Sequence, residues 1–449
     1  MKKWISVLLS VCMLLAAGIP VLAAEQNDGS AADTGTVSND ILWQEAVPVW
    51  SDGEEISGEF FARTEAVAAA AIVNTDSFVD KAADEKDFDV PCKAALLMDE
   101  GTGQILYAKN ADAPLPIASI TKVMTMLLVF EAIDAGRISL SDTVPITAHA
   151  YSMGGSQIWL EPGEIFTVDE LLKAVAVSSA NDAAVALAEY VGGSEAVFCD
   201  MMNKRAQQLG MENTHFVNAC GLDAEGHLSS ARDVALMSRE LMKHEKVFDY
   251  TTIWMDYLRN GQTQLVNTNK MLHSYSGTTG LKTGTTGKAG VCISATAKRQ
   301  DLSLIAVVLG SATGTERFDA AKKLLDFGFS NFESKPFPQL ENCPEYIEVR
   351  YGVQKKAQIS YTLPGHLLFL KGQAKELESR ITLPEYVDAP MSEGTIIGSV
   401  GLYSAGQKIK EYDIILRENL EKVDFKKALE IIFRTAADMG GKQQKTGSF

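Results

Sequence analysis

Ala118-Ser119-Ile120-Thr121-Lys122-Val123-Met124-Thr125-Met126-Leu127-Leu128 is the stretch on which the fold turns. Ile120, Val123, Met124, Leu127, Leu128 and Ala132 recur at three- and four-residue steps, and the run ends near Gly136, which predicts a helix. Pro114 and Pro116 bar any helix upstream, so Ser119 is expected at the helix N-terminus. Residues three apart share a helix face, which brings the Lys122 amine to the Ser119 hydroxyl. Free first-turn amides and the positive end of the helix dipole favour alkoxide character on that serine. A lysine at its ordinary pKa of roughly 10.4 is a poor base. Apolar surroundings and a second cation would lower it, and Lys282 is the candidate cation. Alone, Ser-x-x-Lys is weak, because a helix cap followed by a solvated lysine has the same spelling.

Two further motifs lie downstream. Ser179-Ala180-Asn181 falls between the apolar helical stretches Leu171–Val177 and Asp182–Tyr190. A hydroxyl to pass a proton and an amide to hold a substrate carbonyl would project there into one cleft. By itself the triplet could equally cap the helix that starts at Asp182. Lys282-Thr283-Gly284-Thr285 sits within Gly280–Gly287, ahead of the strand patterns Gly290–Ala297 and Leu302–Leu309. Glycine there lets a ligand backbone lie along a strand edge, while ammonium and hydroxyl take up a carboxylate. Upstream, Ala94–Met98 and Gln104–Ala108 flank Asp99-Glu100-Gly101-Thr102-Gly103, a hairpin signal. Taken together the three motifs supply a nucleophile, a proton acceptor, a relay and an anion cradle, the parts needed to cut an amide bond through a serine ester.

With these residues in place, the chain resembles the D-alanyl-D-alanine carboxypeptidases among the low-molecular-mass penicillin-binding proteins. The likeness covers roughly residues 91–332. It is carried by Ala118–Lys122, Gly155–Glu164, Ser179–Ala183, Asn218–Asp223, Lys282–Gly284 and Ala289–Arg299. It implies an α+β fold of the β-lactamase/transpeptidase type, a five-stranded antiparallel sheet flanked by helices, with penicillin as a covalent inhibitor. Carried over residue by residue, Ser119 is the nucleophile, Lys122 its base, and Ser179 with Asn181 the relay and carbonyl clamp. Lys282 and Thr283 would hold the substrate's terminal carboxylate, helped by Arg317, Gly284 would be a further substrate-binding position, and the amides of Ser119 and Thr285 would form the oxyanion hole. The family often has histidine where Thr285 stands and Pro-His where Ala219-Cys220 stand. No cofactor or metal is implied, and the six histidines show no paired metal-ligand spacing. The partners implied are a peptidoglycan stem peptide and β-lactam antibiotics.

The rest of the chain frames that domain. Lys2 and Lys3, an apolar run from Trp4 to Ile19 and the small-residue site at Val21-Leu22-Ala23 predict an export signal over 1–23, and hence work outside the cytoplasm. Residues 24–90 form an acidic segment, with sixteen acidic against three basic side chains between Glu25 and Asp89. Its composition is that of a solvated tether. That segment carries most of a net charge of −17, a balance unsuited to nucleic acid. Past Phe332, proline breaks and short alternating runs such as Ile347–Tyr351 and Gln358–Leu363 predict a small β-sandwich over 333–418. In the tail, 419–449, Phe425, Ala428, Leu429, Ile432, Phe433, Ala436 and Met439 share one helical face, with Lys422, Lys426, Lys427 and Arg434 around it. Such a helix can lie in a membrane surface or pack on the β-domain. Competing readings of the whole are a class A-like β-lactamase, a non-catalytic wall-peptide receptor and a glutaminase-like amidase.

Overall fold

The computed structural model describes residues 88–429. The expected export signal, nearly all of the acidic segment and the helical tail beyond Leu429 lie outside the described residues. The predicted hairpin forms as β1 (Ala94–Asp99) and β2 (Ile105–Lys109). Asp99 closes its turn, its carboxylate accepting from the Thr102 amide at 2.8 Å and the Thr102 hydroxyl at 2.6 Å. With β3 (Thr278–Thr286), β4 (Gly290–Arg299) and β5 (Leu302–Ser311) these make a five-stranded antiparallel sheet in the order β2-β1-β5-β4-β3. The strand that carries Lys282 is therefore an edge.

Strand alternation divides the interior in two. Leu96, Met98, Ile305 and Val307 face a helical layer, and Leu97, Leu304, Ala306 and Val308 face the opposite side. The helical layer contains α1 (Lys122–Asp134), α2 (Val168–Val177), α3 (Asn181–Gly192), α4 (Glu195–Gln208) and α5 (Ala231–Met242). On the other face lies α6 (Gly314–Asn331), packed through Ala321, Leu324 and Leu325. Capping boxes start α2 at Thr167 with Glu170 and α6 at Thr313 with Glu316. The periodic stripe read along α1 understates its burial. From Lys122 to Phe130 every residue is buried, because the helix runs through the middle of the layer and is surrounded on all sides.

The remaining strands build a second, all-β unit. Strands β6 (Phe332–Pro336), β7 (Tyr346–Arg350), β8 (Lys356–Tyr361), β9 (His366–Leu370), β10 (Leu377–Thr382), β11 (Tyr386–Asp388), β12 (Ile396–Ser404) and β13 (Gln407–Leu416) form two sheets. One is the β6-β9 pair and the other is six-stranded, β10-β12-β13-β8-β7-β11, with β7 and β11 parallel. Strand β9 serves both cores. Leu367 and Phe369 enter the β-unit core with Val400, Leu402 and Ile414, while Leu368 joins the core against α6. A helix begins at Phe425 and is described as far as Leu429.

Candidate active site

A short 3-10 turn, Ala118–Thr121, precedes α1, so Ser119 stands one turn ahead of the α-helix instead of within it. Tight turns of this kind are frequent at helix N-termini. Ala118 has φ +51°, a left-handed conformation that costs a residue with a side chain roughly 1–3 kcal/mol and turns the next residue out of the helical path.

Lys122 is fully buried, and its ammonium donates to Ser119 Oγ at 2.9 Å, Asn181 Oδ1 at 2.6 Å and the Cys220 carbonyl at 2.7 Å. Burial pulls its pKa down to about 8, against the pull of Cys220 and Asp182 in the other direction. Asn181 opens α3, and its Nδ2 donates to the Gly154 carbonyl at 2.6 Å. Its amide is thus committed to Lys122 and to loop 154–160, leaving one N–H for the substrate carbonyl it was expected to clamp. The buried Asp182 carboxylate anchors the same loop by accepting from the Ile158 and Leu160 amides at 3.1 Å each. From outside, Arg259 grips the loop through the Ile158 and Trp159 carbonyls and the Glu164 carboxylate.

Ser179 is buried, with φ +63°. Among the described residues its hydroxyl makes no hydrogen bond to Ser119, Lys122 or Lys282, so the expected relay is close in sequence to Asn181 but not yet joined to the centre.

The third motif lies on β3. Gly284 is the point where this edge meets the serine turn: a Cβ there would stand 2.8 Å from the Ile117 carbonyl oxygen and 2.9 Å from the Ser119 nitrogen. Only glycine lets strand and turn approach this closely. Lys282 is 1% exposed, and its one hydrogen bond among the described residues goes to the Thr283 carbonyl at 3.3 Å. Burial first, then repulsion from Lys122 and Arg317, holds its pKa well below the ordinary lysine range. Burial is the largest cause at both ammonium groups, and the repulsion between them adds to it at Lys282. Thr283 Oγ1 donates to Thr268 Oγ1 at 2.7 Å. Arg317 lies behind the strand, with Nη1 3.2 Å from the Cys292 carbonyl, 3.3 Å from that of Gly284 and 3.5 Å from Thr285 Oγ1. Its Nε is buried without a partner among the described residues, and burial lowers its pKa to about 10. Three buried or nearly buried cations with few counter-charges make a receptor for an anion.

Several contributors escape sequence reasoning. The Cys220 carbonyl that holds Lys122, the Gly154 carbonyl that holds Asn181 and the buried His227 against Thr121 come from loops without periodic pattern. Asp182, taken only as a helix start, is the one whose sequence offered a signal, since a carboxylate in the first turn of an apolar helix is rarely idle.

Residues 80–313 match the family described as D-alanyl-D-alanine carboxypeptidase, and residues 332–422 match the C-terminal domain of penicillin-binding protein 5. The D-alanyl-D-alanine carboxypeptidase DacF of Bacillus subtilis is 41% identical over 350 residues, 77% of this chain and 89% of that protein. Among solved structures, penicillin-binding protein 5 from Haemophilus influenzae is similar with a TM-score of 0.65 at 30% identity, covering 75% of this chain and 99% of the other. Penicillin-Binding Protein D2 from Listeria monocytogenes in its ampicillin-bound form matches at 34% identity and a TM-score of 0.50, over 54% of this chain and 99% of that one. The chain belongs to the D-alanyl-D-alanine carboxypeptidase family of penicillin-binding proteins.

Proposed function

We propose that this protein is a serine carboxypeptidase that removes the terminal D-alanine from peptidoglycan pentapeptide stems through an ester on Ser119, and that β-lactams acylate the same oxygen. The observation that supports this most is the wholly buried Lys122 amine 2.9 Å from Ser119 Oγ, at the edge strand that bears a second, under-paired ammonium on Lys282. The substrate's terminal carboxylate settles against Lys282, Thr283 and Arg317, and its backbone lies along β3. Neutral Lys122 takes the Ser119 proton as Oγ bonds to the penultimate D-alanyl carbonyl carbon. The oxyanion faces the Ser119 and Thr285 amides, each such donor lowering the barrier by about 3 kcal/mol. The C–N bond breaks, and the proton reaches the departing D-alanine amine from Lys122 by way of the Ser179 hydroxyl. Water then attacks the ester carbonyl carbon as Lys122 takes its proton; the C–Oγ bond breaks and Lys122 passes that proton on to Ser119 Oγ, which restores the hydroxyl and the neutral amine.

Both oxygens of Glu164 are held by Arg259, at 2.8 and 2.7 Å, and one also by the Glu161 amide. Among the described residues no carboxylate bonds to Ser119 or Lys122. This favours a lasting penicillin adduct over the rapid turnover of a β-lactamase. Release of D-alanine from a pentapeptide tests the proposal directly. No release, together with fast penicillin hydrolysis, would replace it with the β-lactamase reading.

Acylation needs the neutral Lys122 amine, whose pKa is about 8. The kcat/KM for D-alanine release should therefore rise about tenfold per pH unit through the range below 8 and level off above it. A profile flat from pH 6 to 9 would contradict Lys122 as the base.

Export and a membrane-surface position complete the proposal. They are supported by the leader pattern of 1–23 and by the amphipathic face that starts at Phe425, which is 85% exposed. Among the described residues no helix is long and apolar enough to cross a membrane. Deleting Phe425 onward should shift the mature protein from the membrane to the soluble fraction. Unchanged partition would reject the anchor.

A further inference from the structure

A buried chain of hydrogen bonds runs behind the nucleophile and is not used by any step above. The Val217 amide donates to His227 Nδ1 at 3.0 Å, and His227 Nε2 lies 2.7 Å from Thr121 Oγ1. Thr121 Oγ1 in turn donates to the Ala118 carbonyl at 2.9 Å. Each link has one direction. Nδ1 must be bare to accept from Val217, so Nε2 carries the hydrogen and donates to Thr121, whose single hydrogen goes to Ala118. Thr121 is fully buried and His227 is 4% exposed. Burial, with His215 adding to it and Asp223 opposing, lowers the His227 pKa to about 4, which keeps the imidazole neutral and the chain in this direction.

The chain ends on the residue whose left-handed φ aims Ser119. The Ala118 carbonyl is also pressed by Gly221, where φ is +86° and a Cβ would fall 2.0 Å from that oxygen. Its neighbour Cys220 supplies the carbonyl that holds Lys122. One loop, 217–227, therefore touches the serine turn and its base at once.

We propose that His227 is a positioning residue for acylation: acting through Thr121, it fixes the Ala118 carbonyl and with it the turn that aims the Ser119 hydroxyl at Lys122 and the Ser119 amide at the oxyanion. This rests on Ser119 being the acylated residue. Loss of aim should slow the covalent step and spare the encounter with ligand, because Lys282 and Thr283 lie on the strand opposite.

The test measures fluorescent-penicillin acylation by stopped flow, separating the first-order acylation constant from the dissociation constant of the preceding complex, with melting temperatures recorded alongside. His227→Asn keeps an acceptor for Val217 but falls short of Thr121; it should lower the acylation constant on the order of tenfold and leave the dissociation constant within about twofold. His227→Gln places an N–H near the Nε2 position and should restore most of the rate. Thr121→Val, equal in shape and lacking the hydroxyl, should reproduce the loss should the histidine variants fold poorly. The double variant Thr121→Val with His227→Asn should be no slower than the worse single one. Wild-type acylation constants in folded His227→Asn and Thr121→Val, or multiplied losses in the double variant, would overturn the proposal. Wild-type protein that forms no adduct would instead overturn the proposed function itself.

Discussion

Ser119→Ala is expected to abolish D-alanine release and penicillin attachment together, by a factor on the order of 10⁶, the scale on which loss of a serine nucleophile acts. Both losses have one cause. Ser119 Oγ lies 2.9 Å from the buried Lys122 amine, and the backbone nitrogen of the same residue abuts the β3 edge at Gly284. Among the described residues the hydroxyl removed accepts from Lys122 alone, so the turn and the sheet should remain intact. Affinity for a ligand carboxylate should change little, because Lys282, Thr283 and Arg317 are untouched. Gel fluorescence with a labelled penicillin and an amino-acid assay for D-alanine read the two activities. Equal labelling of wild type and variant would remove Ser119 from the mechanism.

Lys122→Ala should be the next largest effect, lowering acylation on the order of 10³- to 10⁴-fold while the non-covalent complex still forms within a few-fold of its normal affinity. Here the loss has a structural side. The ammonium that joins Ser119, Asn181 and the Cys220 carbonyl disappears from a fully buried position. Three oxygen atoms, of Ser119, Asn181 and Cys220, face the space the ammonium leaves and can bind a water there, which limits the cost to the fold. Combining Ser119→Ala with Lys122→Ala should add almost nothing to the first change, since the two side chains act as one unit. Rapid acylation by Lys122→Ala would mean that the proton goes elsewhere.

The parts of the site written in local pattern were legible in the chain. Ser119 and Lys122 are one turn apart, Asn181 opens an apolar helix, and Lys282 sits on a strand followed by two more. Periodicity and spacing suffice for such features. What pattern could not supply was the packing that gives them their properties. The helix after Ser119 reads as a one-sided stripe, yet it is buried all round, because the neighbours that cover it come from α2, α3 and α5, far along the chain. The left-handed turn at Ala118 has no glycine to announce it. Apolar surroundings and Lys282 were expected to lower Lys122 together; burial is the leading cause, and how deep that burial goes is a property of the whole layer. Ser179 has the spelling of a relay without, in this arrangement, a hydrogen bond to the centre. His227 lies 106 residues from the threonine it touches, and no spacing rule reaches that far.

Mass spectrometry of penicillin-treated protein, digested and mapped, asks most directly whether the serine, its buried amine and the cationic strand edge form one acylation centre. The expected result is a single penicilloyl adduct on the peptide that contains Ser119, stable for long enough to be isolated. An adduct on another residue, or none under conditions where the protein is folded, would contradict the account.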